Sequence, residues 1–184
     1  KFLPVAERLK LTPQLDLAAV ALGLDELEAK PQLTGLAINL SASSIYLPEF
    51  RTNLHKLLYR RPGTTRLWLE VAESGALAHF DAFKALCTEL RGVGCKLGLE
   101  HFGRQFSEIG RLHDLGLDYL KVDGSFVRGL DGNAGNQAFL KGLSTIAHSI
   151  GLQVIAEGVT SAADLKALGP VGFDGATGPA VPRK

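Results

Sequence analysis

Six short apolar runs recur along the chain and alternate with helix-forming segments at intervals of about 20 to 35 residues, a spacing that belongs to βαβ units and a parallel sheet. The runs are Leu36–Leu40, Leu67–Glu70, Cys95–Leu99, Tyr119–Val122, Gln153–Ala156 and Val171–Phe173. Several are apolar on both faces, as strands sandwiched between a barrel interior and outer helices should be. Between them, Phe139, Leu140, Leu143, Ile146, Ala147 and Ile150 follow the spacing of one buried helix face. Gly132-Asn-Ala-Gly135 reads as the loop that enters this helix. Pro4–Leu11 and Pro13–Ala29 read as helices that come before any strand. The expected fold class is therefore α/β, a TIM-like (β/α)8 barrel, with residues 1–184 forming one domain that lacks its N-terminal portion of about two strands.

Charge and cysteine content narrow the partners. With 20 basic and 19 acidic residues the net charge is +1, which leaves no electrostatic footprint for a DNA or RNA duplex or for an anionic membrane. A phosphate ligand must be held locally. Cys87 and Cys95 have neither metal-site spacing nor a disulfide framework, which fits a reducing, cytoplasmic setting. No apolar run approaches the roughly 18 residues that span a bilayer. His55, His79, His113 and His148 have no partner at ligand spacing, Trp68 reads as core, and Arg60-Arg61 reads as a helix end before the Pro62-Gly63 turn.

Every strand runs into a polar side chain at its C-terminal end: Asn39, Glu70, Glu100, Asp123, Glu157 and Asp174. Singly, each is compatible with a helix N-cap or a solvated loop. Together they occupy the face of a parallel barrel on which chemistry is built. Lys121 and Asp123 are two apart on one strand and so share a side. A ring of carboxylates with an Asn is oxygen-rich ligation, suited to Mg²⁺ or Mn²⁺ and phosphate esters. There is no Cys/His zinc spacing and no Gly-x-Ser-x-Gly elbow.

Six collinear strings carry a resemblance. They are Phe2-Leu-Pro-Val-Ala-Glu7, Ile38-Asn-Leu-Ser41, Leu69-Glu-Val-Ala-Glu-Ser74, Leu120-Lys-Val-Asp-Gly-Ser-Phe126, Val154-Ile-Ala-Glu-Gly-Val159 and Gly172-Phe-Asp174. In this order and spacing the chain resembles the EAL-domain family of cyclic-di-GMP phosphodiesterases and their non-catalytic receptor relatives. The resemblance implies that the matches of Asn39, Glu70 and Asp123 help hold two metal ions. It further implies that the match of Lys121 assists the attacking water, that Glu157 lies in the nucleotide and metal site, and that Glu73 anchors a loop.

Two departures from the family pattern shape the functional expectation. Glu100-His101-Phe102-Gly103 stands where active relatives have Asp-Asp-Phe-Gly, and Ala176-Thr177-Gly178-Pro179 stands where a Gln-Gly-Tyr string is usual. Bridging carboxylates hold the ions of a two-metal centre about 3.5–4 Å apart. Glu100 and His101 are therefore expected to be degenerate metal-site positions, with no catalytic residue and no metal cofactor remaining. The resulting expectation is an inactive, LapD-type receptor that binds cyclic-di-GMP through Asn39, Glu70, Lys121, Asp123, Glu157 and Asp174. Such a receptor reports occupancy to attached signalling domains in biofilm-type signalling, as the cytoplasmic domain of an inner-membrane bacterial protein. Phe106 is expected on an exposed switch loop that joins a homodimer. The alternatives are an active phosphodiesterase dependent on Mg²⁺ or Mn²⁺, and a nucleotide-free interaction barrel.

Overall fold

The computed structural model describes residues 8–113 and 115–182. The Phe2–Glu7 string and the first half of the Pro4–Leu11 segment lie outside the described residues. The chain divides at Gly98/Leu99 into two compact units. Strand order in the sheet is the order of the sequence, and the architecture is α/β with a parallel sheet.

The first unit opens with α1 (Thr12–Ala29), which has Pro13 at its N-terminal turn, where a missing N–H costs nothing. Val20, Leu24 and Leu27, spaced as one helix face, are fully buried. β1 (Leu36–Leu40), α2 (Ala42–Ile45), α3 (Pro48–Leu58), β2 (Leu67–Ala72), α4 (Glu73–Ala78) and α5 (Phe80–Leu90) follow. β1 and β2 are parallel, with Leu36 opposite Leu67 and Asn39 opposite Glu70. Leu67, Leu69 and Val71 are buried on one face of β2 and Glu70 on the other, the double burial expected of a parallel sheet. Asp16 of α1 accepts the Ser41 amide at 2.9 Å and so satisfies the start of α2 from outside that helix. Arg51, buried, donates to the Ile45 carbonyl at 2.8 Å and pairs with Glu89 at 3.1 Å. Trp68 is only half-buried, and the Lys96 ammonium lies 4.3 Å from its ring centroid. Burial pushes the Cys87 thiol up to about 12, so it stays protonated.

β3 (Lys96–Phe102) runs through the division point. The second unit then contains β4 (Tyr119–Val122), α6 (Gly124–Val127), α7 (Ala134–Ser149), β5 (Gln153–Ala156), α8 (Ala162–Leu168) and β6 (Gly175–Ala176). β4 pairs with β5 and β5 with β6, both parallel. α7 begins two residues earlier than its glycines suggest, because the Asn133 side chain accepts the Asn136 amide at 2.9 Å and caps it. Its buried face is Leu140, Leu143, Ser144 and Ala147, whereas Ile146, expected on that face, is 41% exposed. Ser161 caps α8 in the same way, accepting the Asp164 amide at 3.0 Å.

The last strand differs from expectation. Val171 closes a 3₁₀ turn, Gly169–Val171, and Gly172 turns the chain at φ +87°. Pairing starts only after this point, so β6 is Gly175–Ala176 rather than Val171–Phe173. An apolar run had been read as a strand because a buried turn is equally apolar.

Candidate functional site

Backbone hydrogen bonds extend the ladder beyond the strands of the second unit. The Asp123 amide donates to the Phe102 carbonyl at 3.0 Å, the Glu157 amide to the Val122 carbonyl at 3.0 Å, and the Thr177 amide to the Ala156 carbonyl at 2.7 Å. Parallel pairing with this register sets the ends of β3, β4 and β5 side by side.

Glu100 and His101 are consecutive in β3, and consecutive strand residues point to opposite faces. The backbone resolves the conflict, since His101 adopts φ +54°. His is among the few side chains that visit this left-handed region, at a cost of about 1–3 kcal/mol. The turn returns the imidazole to the side of Glu100. One donor atom each from Glu100, His101 and Glu157 then lie within 4.8 Å of one another.

His101 Nδ1 is 3.0 Å from Glu157 Oε2 and 3.5 Å from Asp123 Oδ2. The ring is 55% exposed, Glu157 and Asp123 are mostly buried, and Glu100 is buried. Glu157 Oε2 is buried and accepts no hydrogen bond. An unsatisfied carboxylate oxygen costs about 1–3 kcal/mol or more, which makes Glu157 Oε2 a candidate ligand atom. Asp123 divides its oxygens. Oδ1 accepts the Ser125 amide at 2.8 Å, capping α6, while Oδ2 faces His101. The Ser125 side chain and amide hold the Asp123 carboxyl below the usual range against the effect of burial, with His101 and Arg104 adding to the shift.

Glu157 itself is fixed from two directions. A Cβ on Gly124 would lie 2.8 Å from the Glu157 carbonyl oxygen, so only glycine allows α6 to start this close. After β5 and β6 a paired strap continues: the Val159 amide donates to the Thr177 carbonyl at 2.8 Å and the Ala180 amide to the Val159 carbonyl at 3.0 Å. Gly178, at φ +132°, closes it, since a Cβ there would be 2.3 Å from the Val159 nitrogen. The Thr177 hydroxyl bonds to the Ala156 carbonyl at 3.4 Å.

The structure brings together Glu100, His101, Asp123 and Glu157. Lys121 is half-buried on β4, two residues before Asp123. Asn39 and Glu70 are register partners in the first unit, and Glu73 is buried at the first turn of α4. Asp174 is elsewhere. It precedes β6 instead of following a strand, and its Oδ2 accepts the Val154 amide at 2.7 Å and meets His148 Nε2 at 2.8 Å. Burial works to raise its pKa, but the Val154 amide and His148 outweigh that and leave the carboxyl below the usual range. Asp174 thus braces the N-terminal end of β5, away from the Glu157 end.

Phe106 also departs from expectation. It is half-buried, with its ring edge-on to Phe139 at 5.3 Å, and Phe139 stacks on Phe126 at 5.6 Å. An aromatic on a short turn beside an aromatic helix face is partly covered by that face, so Phe106 is less exposed than expected. The steric roles of Gly124 and Gly178 were not recognised from sequence, whereas Asp123 does cap a helix, and Asp123-Gly-Ser125 carries the signal of an Asx cap. No helix among the described residues is long and apolar enough to cross a membrane.

Comparison with known proteins adds the family. Residues 1–183 match the model of the EAL domain. The chain is 28% identical to the cyclic di-GMP phosphodiesterase PdeB of Shewanella oneidensis over 188 residues, all of this chain and 22% of that protein. It is 29% identical to the cyclic di-GMP phosphodiesterase PdeF of Escherichia coli, over 94% of this chain and 24% of that protein. The chain therefore spans less than a quarter of these curated relatives. The structure of Vibrio cholerae LapD bound to c-di-GMP superposes with a TM-score of 0.82 over 93% of this chain and 42% of that one. At 23% identity this shows the fold alone. PdeB and PdeF are enzymes, which overturns the expectation that Glu100-His101 marks a barrel without activity. The expected likeness to LapD likewise reaches no further than the barrel. The chain belongs to the EAL-domain family.

Proposed function

We propose that this chain forms the hydrolytic site of a metal-dependent phosphodiesterase acting on cyclic-di-GMP, within a protein that carries further signalling domains. The observation that carries the reading is the convergence of Glu100, His101 and Glu157 on one point, with the buried Glu157 Oε2 accepting no hydrogen bond and met by the His101 ring at 3.0 Å. These residues fit a divalent ion: three donors converge, one donor oxygen is buried without a hydrogen bond, and two of the three are carboxylates. A bound ion supplies Lewis-acid polarisation of the phosphoryl oxygen and an acidified water.

The chain's own residues have distinct tasks in this reading. Glu157 stays in place because its backbone is clamped by Gly124 and the strap. Asp123 stays ionised through its Ser125 cap, so it can accept a hydrogen bond from an attacking water at Oδ2. Lys121, on the same side of β4, offers an ammonium to phosphate oxygens.

Separation of cyclic from linear dinucleotide by chromatography, with Mg²⁺ and Mn²⁺ supplied in turn, tests the reading. Linear product is expected with at least one ion, and Glu157→Ala should abolish it while the far-ultraviolet spectrum is unchanged. No product with either ion, or full turnover by Glu157→Ala, overturns the reading.

A further inference from the structure

We propose that His101 makes this a mixed nitrogen and oxygen centre that holds a first-row ion of the Mn²⁺ to Zn²⁺ series in preference to Mg²⁺. The inference rests on the reading of the cluster as a metal site. Three observations lead to it. The donor set is two carboxylates and one imidazole. The imidazole nitrogen facing the cluster is Nδ1, 3.0 Å from Glu157 Oε2. That oxygen is buried and accepts no hydrogen bond, so an ion pair with the ring is the most that occupies it.

The chemistry follows from ligand type. Mg²⁺ is small and hard, takes oxygen in near-octahedral geometry and gives up water reluctantly, so an imidazole in its shell gains it little. Imidazole suits the first-row transition ions, whose affinity for a nitrogen-containing site rises from Mn²⁺ through Fe²⁺ and Co²⁺. The left-handed His101 backbone is what places the nitrogen there. A residue with ordinary strand geometry at this position would point away from Glu100.

Asn and Asp tolerate the left-handed backbone as His does, so His101→Asn and His101→Asp change the donor without forcing the chain. The intact protein is titrated with Mg²⁺ alone and with Mn²⁺ alone by calorimetry, and the Mn²⁺ form is examined by pulsed electron paramagnetic resonance for nitrogen coupling. Wild type should bind Mn²⁺ at least about tenfold more tightly than Mg²⁺ and show imidazole nitrogen coupling. His101→Asn should lose the coupling and most of the preference, and His101→Asp should shift the preference toward Mg²⁺. Equal affinities in the wild type, or nitrogen coupling that survives in His101→Asn, overturns the proposal.

The two readings fail separately. Metal binding that depends on His101 with no action on cyclic-di-GMP sinks only the functional assignment. Hydrolysis at full rate on Mg²⁺, with His101→Asn binding metal like the wild type, sinks only this one.

Discussion

Two histidine–carboxylate pairs of the second unit, His148 with Asp174 and His101 with Glu157, have opposite characters. At the N-terminal end of β5, His148 and Asp174 meet at 2.8 Å, and the same carboxylate oxygen takes the Val154 amide at 2.7 Å. At the C-terminal end, His101 and Glu157 meet at 3.0 Å, the histidine is held in a left-handed backbone, and the carboxylate oxygen accepts no hydrogen bond. The first pair is saturated and ties a helix to a strand. The second carries strain and an open valence, which are the marks of a group placed for something other than stability. Chemical type alone does not separate a brace from a site. The remaining hydrogen-bonding capacity does.

The sharpest way to break this comparison is to remove one carboxylate from each pair. Glu157→Gln should lower hydrolysis by at least about a hundredfold, since even outer-shell changes at metal sites cost about 10–100-fold. Its urea midpoint should stay within error of the wild type. Asp174→Ala should do the reverse, losing about 1 kcal/mol of stability in urea unfolding as the Val154 amide loses its acceptor while activity persists. If both variants lose stability equally, the contrast between brace and site is wrong.

A smaller effect appears in acid. The folded state holds Asp174 below the ordinary carboxylate value, so protons bind the unfolded chain first as pH falls. The stability that Asp174 contributes is complete above about pH 5 and is lost as pH falls through the unfolded value, about 3.9, and then the lower folded one. Asp174→Asn should therefore flatten the acid limb of a plot of unfolding free energy against pH. An unchanged limb would show that the Val154 amide and His148 do not hold the carboxylate in solution as they do here. The smallest effect concerns strain. His101→Gly removes the left-handed penalty but adds backbone entropy, so stability should rise by a few tenths of a kcal/mol at most. A clear loss in thermal unfolding would mean that the ring contributes packing that its 55% exposure does not suggest.

Much of the scaffold was legible because hydrophobic period and pairing agree. β1, β4 and β5 start and stop where their apolar runs do, and Glu157 and Asp123 follow strand ends as their positions imply. The misses share a cause. Val171–Phe173 is apolar for the sake of a turn, and the strand after it, Gly175–Ala176, has no β-forming residue to reveal it. That displacement put Asp174 at the wrong end of its strand. The expectation that Glu100-His101 is degenerate rests on its departure from the Asp-Asp of active relatives, and the left-handed backbone that turns His101 to the side of Glu100 leaves no trace in composition. The partner of His148 lies 26 residues away and emerges only from tertiary packing.

The strap after β5 and β6 bears on the entropy of binding. The Thr177, Val159 and Ala180 amides pair in register, and Gly178 allows the two backbones to touch. Glu157, at the root of this strap, has given up its backbone freedom at the moment of folding. A ligand that meets its carboxylate has only side-chain rotamers to order, so more of the contact energy survives as affinity. The opposite wall carries His101 on an exposed ring, and what remains of the ordering cost falls there. Occupancy should thus be felt first in the β3 end and least in the strap.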